Sequence, residues 1–214
     1  MKKILFVIIA VFLMPSAFSQ NAIRFENRKN TGYFNLTQVS LMMGNRKLSE
    51  QNNYYNYRNN MLVSPSVTMT CGHIFNEHWA TGVGMGFEIF SHNLLPVFAD
   101  IRYTFWGNTV SPFFAFKMGY AIGNLSEKQY DDLYLDYQPF YVNNANFRNH
   151  GGFMLHPEMG FVIPLSEKAD LLFAVAYRHQ KIKTTVSQDL GQRYKWEHKE
   201  GMNRLSFGVA IMFR

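Results

Sequence analysis

The sequence predicts an all-β fold, an eight-stranded antiparallel up-and-down transmembrane β-barrel, on three observations. Eight segments alternate large apolar residues with small or polar ones at period two, which puts the two sets on opposite faces of a strand. The connections between these segments alternate between long and short. The face opposite the apolar one is rich in Gly, Ala, Ser and Thr with a few charges of both signs, which suits a narrow, crowded interior better than open solvent.

The first segment of the chain stands apart. Lys2 and Lys3 precede an apolar run from Ile4 to Met14, Pro15 breaks it, and Ala17 and Ser19 supply the small residues of a cleavage site before Gln20. Residues 1–19 therefore read as a secretory signal peptide and 20–214 as one barrel domain. The apolar run is too short for a spanning helix, which needs about 20 residues. The whole chain has 21 Lys and Arg against 15 Asp and Glu; residues 1–19 hold two of the former and none of the latter, so the remainder carries +4. No basic stripe concentrates that charge, so nucleic acid is not an expected partner. With Cys71 alone, an internal disulfide is excluded and stability must come from backbone pairing and packing.

The strands follow in order. The first, about 32–43, sets Thr37, Val39, Leu41 and Met43 against Gln38, Ser40 and Met42, the weakest pattern of the eight. The second, about 63–71, sets Val63, Val67, Met69 and Cys71 against Ser64, Ser66, Thr68 and Thr70. The third, about 79–89, sets Trp79, Val83, Met85, Phe87 and Ile89 against Ala80, Gly82, Gly84, Gly86 and Glu88. The fourth, about 97–105, sets Val97, Ile101, Tyr103 and Phe105 against Phe98, Asp100, Arg102 and Thr104. The fifth, about 113–122, sets Phe114, Phe116, Met118 and Tyr120 against Phe113, Ala115, Lys117 and Gly119. The sixth, about 153–163, sets Phe153, Leu155, Met159 and Phe161 against Met154, His156, Glu158 and Gly160. The seventh, about 171–178, sets Phe173, Val175 and Tyr177 against Ala174, Ala176 and Arg178. The eighth, about 204–213, sets Leu205, Phe207, Val209, Ile211 and Phe213 against Arg204, Ser206, Gly208, Ala210 and Met212. Most of these lengths suit a tilted crossing of about 9–11 residues.

Segments 75–78, 106–111 and 164–169 read as tight turns; 44–60, 123–150 and 182–200 read as long loops and 91–95 as an intermediate one. Four outer connections and three inner turns are what eight strands with both termini on the inner side require. Trp79, Trp106, Phe75, Phe105 and Phe213 fall at the short-turn level and are expected to form an aromatic girdle. Pro65 and Pro157 fall inside strands of a barrel that has no edge, so a bulge or a broken ladder bond is expected at each.

With this terminal strand, Leu205 to Arg214, the alternation and the loop asymmetry, the chain resembles the small outer-membrane β-barrel families of Gram-negative bacteria, on the plan of the OmpA transmembrane domain and OmpX. The resemblance covers nearly all of 20–214. It implies residence in the cell outer membrane, contact with outer-membrane lipid, and recognition of the C-terminal strand by the barrel-assembly machinery. Phe213 is penultimate here, where the family pattern ends on the aromatic residue. The resemblance carries no active site.

Period two points Glu88, Asp100, Arg102, Lys117, His156, Glu158, Arg178 and Arg204 inward. Burial of unpaired charge is costly, so an ion-paired network is expected. A structural plug is favoured over an ion path, because eight strands leave a lumen that side chains fill. Gly82, Gly84 and Gly86 lack the following helix of a phosphate loop and are expected to make room for a long neighbour such as Arg102, or for curvature. The scattered histidines show no metal spacing, and no cofactor is implied. Ser91-His92 would lie on opposite faces, which disfavours a lipid A-modifying enzyme. The long loops carry Tyr54, Tyr55, Tyr57, Tyr130, Tyr134, Tyr137, Tyr141 and Trp196. These residues suit recognition of an extracellular glycan or protein, and equally suit strands that continue above the membrane. The expected function is therefore non-enzymatic, structural or adhesive, with a lipid A-modifying enzyme or a narrow channel as alternatives. A lipocalin-like carrier would need the reverse alternation.

Overall fold

The computed structural model describes residues 30–47, 62–89, 93–106, 109–123, 128–134, 141–189 and 193–214. The strands are β1 (Gly32–Lys47), β2 (Leu62–Ile74), β3 (Trp79–Glu88), β4 (Leu95–Thr104), β5 (Ser111–Ile122), β6 (Lys128–Tyr134), β7 (Tyr141–Ser166), β8 (Ala169–Asp189) and β9 (Arg193–Phe213). All pairings are antiparallel. β1 pairs with β9, and β5 pairs with the lower part of β7, so eight strands close into a barrel and β6 stands outside the ring as a hairpin partner of upper β7. Closure matters in hydrocarbon, where every backbone polar group must be satisfied by another strand.

Alternation places the side chains as expected. Val39, Val67, Val83, Met85, Val97, Ile101, Phe116, Met118, Phe173, Phe207 and Val209 lie exposed on the outer wall. Their partners in alternation, including Gln38, Thr68, Thr70, Asp100, Lys117 and Arg204, are buried inside. The short turns hold. Asn76 accepts from the backbone N–H groups of His78 and Trp79 at 2.9 Å each, closing the β2–β3 turn. Trp106 donates its backbone N–H to Ser111 Oγ at 2.7 Å near the start of β5. Glu167 and Lys168 form the β7–β8 turn.

The long connections differ from expectation. Most of 182–200 is strand, with β8 running to Asp189 and β9 starting at Arg193, and 123–150 contains β6 and the first ten residues of β7. The reason is solvent: above the membrane a strand meets water on its outer face, so the apolar/polar alternation that reveals the lower strands is lost there.

The prolines also differ in part. Pro65 pairs with Leu41 in unbroken register, and its carbonyl accepts from Ile89 N–H at 3.0 Å, so no bulge forms there. At Pro157 the ladder to β8 skips His156 and Pro157 without shifting register. The register shifts of β7 lie elsewhere, between Asn149 and Gly151 and between Pro164 and Ser166.

Candidate functional site

The lumen has a layered content. At the short-turn end Phe34, Leu36, Ile74, Phe113, Val162, Leu172 and Met212 form an apolar layer. Toward the outer end Leu94, Phe98, Ala121, Met154, Ile182 and Met202 form another. Eight charged or titratable residues inside, at 0–6% exposure, gather around two carboxylates.

Glu158 on β7 is the first centre. Lys117 Nζ lies 2.8 Å from its Oε2, His156 Nε2 3.6 Å from the same oxygen, and Arg102 Nη2 3.8 Å from Oε1. Gln38 on β1 donates to Glu158 Oε2 at 3.1 Å and accepts from Lys117 Nζ at 2.5 Å. Arg102 also pairs with Asp100 at 2.9 Å and sits over the Phe113 ring, 5.1 Å from its centroid. Glu88 at the end of β3 is the second centre. It pairs with Arg178 of β8 and, at 3.4 Å, with Arg204 of β9, which also donates to Gln180. β3 and β5 neighbour neither β8, β9 nor β1 in the sheet. The bonds of Gln38 to Lys117 and Glu158 and of Glu88 to Arg178 and Arg204 are therefore spokes that cross the lumen between strands that are not neighbours.

All eight inward residues expected from the sequence are in these two clusters. Sequence reasoning missed Gln38 and Gln180, whose inward register is plain but whose neutral amides draw no attention. It also missed Arg214 Nε, which binds Asp170 Oδ2 at 2.6 Å beside the short turn. The glycine stripe serves another neighbour than Arg102. A Cβ on Gly84 would stand 2.5 Å from the Phe98 ring, and one on Gly119 would stand 2.8 Å from Phe98 Cβ. Phe98 lies between these glycines on β3 and β5, and its bulk rather than the guanidinium needs the room.

At the short-turn end the expected girdle is present. Phe75, Trp79, Phe105, Trp106 and Phe213 are exposed. Ring contacts run from Trp79 to Tyr103 at 4.9 Å, on to Phe105 at 5.2 Å and to Trp106 at 6.5 Å. Cys71 is exposed on the outer wall and accepts from Asn35 Nδ2 at 3.1 Å.

Of the loop aromatics, Tyr54, Tyr55, Tyr57 and Tyr137 lie outside the described residues, as do Ser91 and His92 and the 1–19 segment. Tyr130 and Tyr134 lie on β6, Tyr141 on β7 and Trp196 on β9. These strands pair in the order β6–β7–β8–β9, so one sheet rising on one side of the mouth carries all four.

No protein-family model matches the sequence, and no curated protein matches it. Solved structures do resemble it. The outer membrane protein OprG from Pseudomonas aeruginosa is 12% identical, with a TM-score of 0.52 over 87% of this chain and 97% of that one. The outer membrane protein AlkL, solved in lipid bilayers, is 13% identical, with a TM-score of 0.50 over 91% of this chain and 95% of that one. At such identities the likeness is one of fold. The apolar outer wall adds the solvent: a closed strand barrel with this exterior is built for hydrocarbon. The chain is a small eight-stranded antiparallel β-barrel with the fold of these outer membrane proteins, and its apolar outer wall suits lipid.

Proposed function

We propose that this protein is a sealed, non-enzymatic outer-membrane barrel whose role, structural or adhesive, is exercised through its outer projection. The observation that carries the reading is the pair of trans-lumen centres, Glu158 with Lys117 and Gln38, and Glu88 with Arg178 and Arg204, held with apolar layers at the two ends. A selective pore is usually lined by one sign of charge. Here four cations face three carboxylates at the two centres, and the Glu88–Arg178 and Glu88–Arg204 pairs cross the lumen. The same sealing keeps these groups from any substrate, which supports a stabilising rather than a catalytic use of them. The exposed Phe213 on the closing strand supports the further reading that this strand is the signal met by the barrel-assembly machinery.

The test is conductance. Purified protein inserted in planar bilayers is expected to give no steady ion current, while folded insertion is verified by a heat-dependent shift in gel mobility. Reproducible single-channel steps from the folded protein would overturn the sealed reading in favour of a narrow channel.

A further inference from the structure

On the β8–β9 side of the barrel the apolar outer wall gives way to cations. Phe173, Val175, Leu205 and Phe207 form an exposed apolar column that ends at Tyr177, also exposed. Tyrosine on the outer wall favours the edge of a hydrocarbon layer. The next outward positions on β8 are His179, Lys181 and Lys183, opposite Asn203, Gly201 and Lys199 on β9. Lys181 is exposed and pairs with no carboxylate among the described residues. Gly201, directly opposite, presents no side chain, and a Cβ there would meet nothing within 4 Å. Lys181 thus overlooks an open notch. Below the notch His179 Nδ1 lies 2.8 Å from Asn203 Oδ1, so the amide oxygen is occupied and the NH2 group of Asn203 remains a donor. Above it Lys183 pairs with Glu197 at 2.9 Å, both half-exposed.

The sign of this face follows from position alone. Above Tyr177 the registers of β6 to β9 and of β1 put on it the positions of Lys47, Arg148, Lys181, Lys183, Arg193, Lys195 and Lys199, against Asp131, Asp189 and Glu197. That is seven cations against three carboxylates, with histidines counted as neutral. Lys47 stands opposite Gly201 from the β1 side, so the notch has a lysine position on each flank. Segments 48–61, 124–127, 135–140 and 190–192 hold Glu50, Glu127 and Asp136 against Arg58. Adding all of them to the face leaves it positive. His198 and Glu200 alternate to the lumen side and do not enter the balance.

A surplus of lysine around an open notch suits a compact anion such as phosphate, which the ammonium group meets as a point charge. The column beneath narrows the source of that phosphate. The cations and the exposed apolar residues lie on the same two strands, one directly above the other. A ligand that answers both has an anionic head and a hydrocarbon tail. A soluble polyanion would leave the column uncovered, and an acidic protein surface would have to enter hydrocarbon to reach it. We propose that the outer face of β8 and β9 above Tyr177 binds the phosphate group of a membrane lipid, seated over Gly201 beside Lys181, with the acyl chains along the column below. The inference rests on the outer-membrane reading of the fold and adds to it a fixed lipid site, whether or not the lumen is sealed.

The experiment places the full protein in phosphatidylcholine nanodiscs that hold a minor fraction of either diphosphorylated or fully dephosphorylated lipid A. Native mass spectrometry of the released barrel counts the lipid it retains. Each variant is first shown to keep its heat-dependent gel shift. Retention of the phosphorylated form is expected to exceed that of the dephosphorylated form. The preference should fall about fivefold in K181A, the effect of one basic residue at an anionic lipid surface, and return in K181R. It should change less than about twofold in K168A, on the short turn at the other end of the barrel. Excess soluble tripolyphosphate should leave the retained lipid in place; its displacement would assign the site to free phosphate and overturn the lipid. Equal retention of the two lipids, or equal loss in K168A and K181A, would overturn the site while the inserted barrel stands. A wild-type protein that enters no bilayer would overturn the outer-membrane reading, and this inference with it.

Discussion

At the scale of single residues, Glu88 shows what the removal of a lumen carboxylate would leave. Glu88 answers two guanidiniums, Arg178 and Arg204, both buried. Glu88→Ala strands those cations in a sealed interior. It is expected to lower stability by about 3–5 kcal/mol, the range for breaking a buried pair by deleting one partner. The unfolding midpoint in urea, followed by gel mobility in vesicles, reads this directly. Gly84 tests packing instead. Its Cβ position is 2.5 Å from the Phe98 ring, so Gly84→Val is expected to cost about 1–3 kcal/mol through overpacking. Combining it with Phe98→Leu should recover part of the loss, which a double-mutant cycle would show. These residues also mark how far the sequence could be read. Parity alone settles that Glu88, Asp100, Arg102, Lys117, His156, Glu158, Arg178 and Arg204 lie inside. Parity does not settle partners, because the side of a strand says nothing about which opposite wall a long side chain reaches. Lys117 to Gln38, from β5 to β1, needs the closed ring to be seen.

At the scale of elements, the strands are legible where lipid and lumen impose opposite demands, and fade where water replaces lipid. β8 is read correctly at Phe173, Val175 and Tyr177 and lost near Lys183, although it continues to Asp189. The same loss hides β6 and upper β7. The expectation that Pro65 distorts its strand fails for a local reason: the backbone N–H that proline lacks is not called on, since the β2–β3 ladder begins at Ser66 and only the Pro65 carbonyl is used beyond it. The projection is built by continuing strands and not by filling the core, so shortening it should leave the barrel intact. Replacing residues 185–197 with a two-residue Asn-Gly turn is expected to preserve the heat-dependent gel shift. Loss of that shift would mean that the projection takes part in folding the barrel.

At the scale of the whole molecule, the outer wall is a depth gauge. Val209 pairs with Val39 and Phe173 within the apolar belt, whereas Tyr33 stands at the girdle level, 5.3 Å from His73 ring to ring. Arginine placed at these two positions is expected to differ in cost: about 2–4 kcal/mol at Val209 and about 0–1 kcal/mol at Tyr33, following the depth dependence of charge on a barrel exterior. Urea titration of refolding into vesicles measures both. Equal costs would mean that the membrane lies at another height on the wall.

The ladder between the first and last strands also dictates an order of events. Asn35 meets Phe213 and Lys47 meets Gly201, partners that stand 178 and 154 positions apart in the chain. A contact of that separation forms only after the final strand has been synthesised and delivered. Until then β1 and β9 are two open hems, each a row of unpaired backbone groups able to join any strand edge they meet. The chain must therefore be shielded in transit rather than folded in transit, and a copy that stopped before Arg193 would have a first strand with nothing to close on.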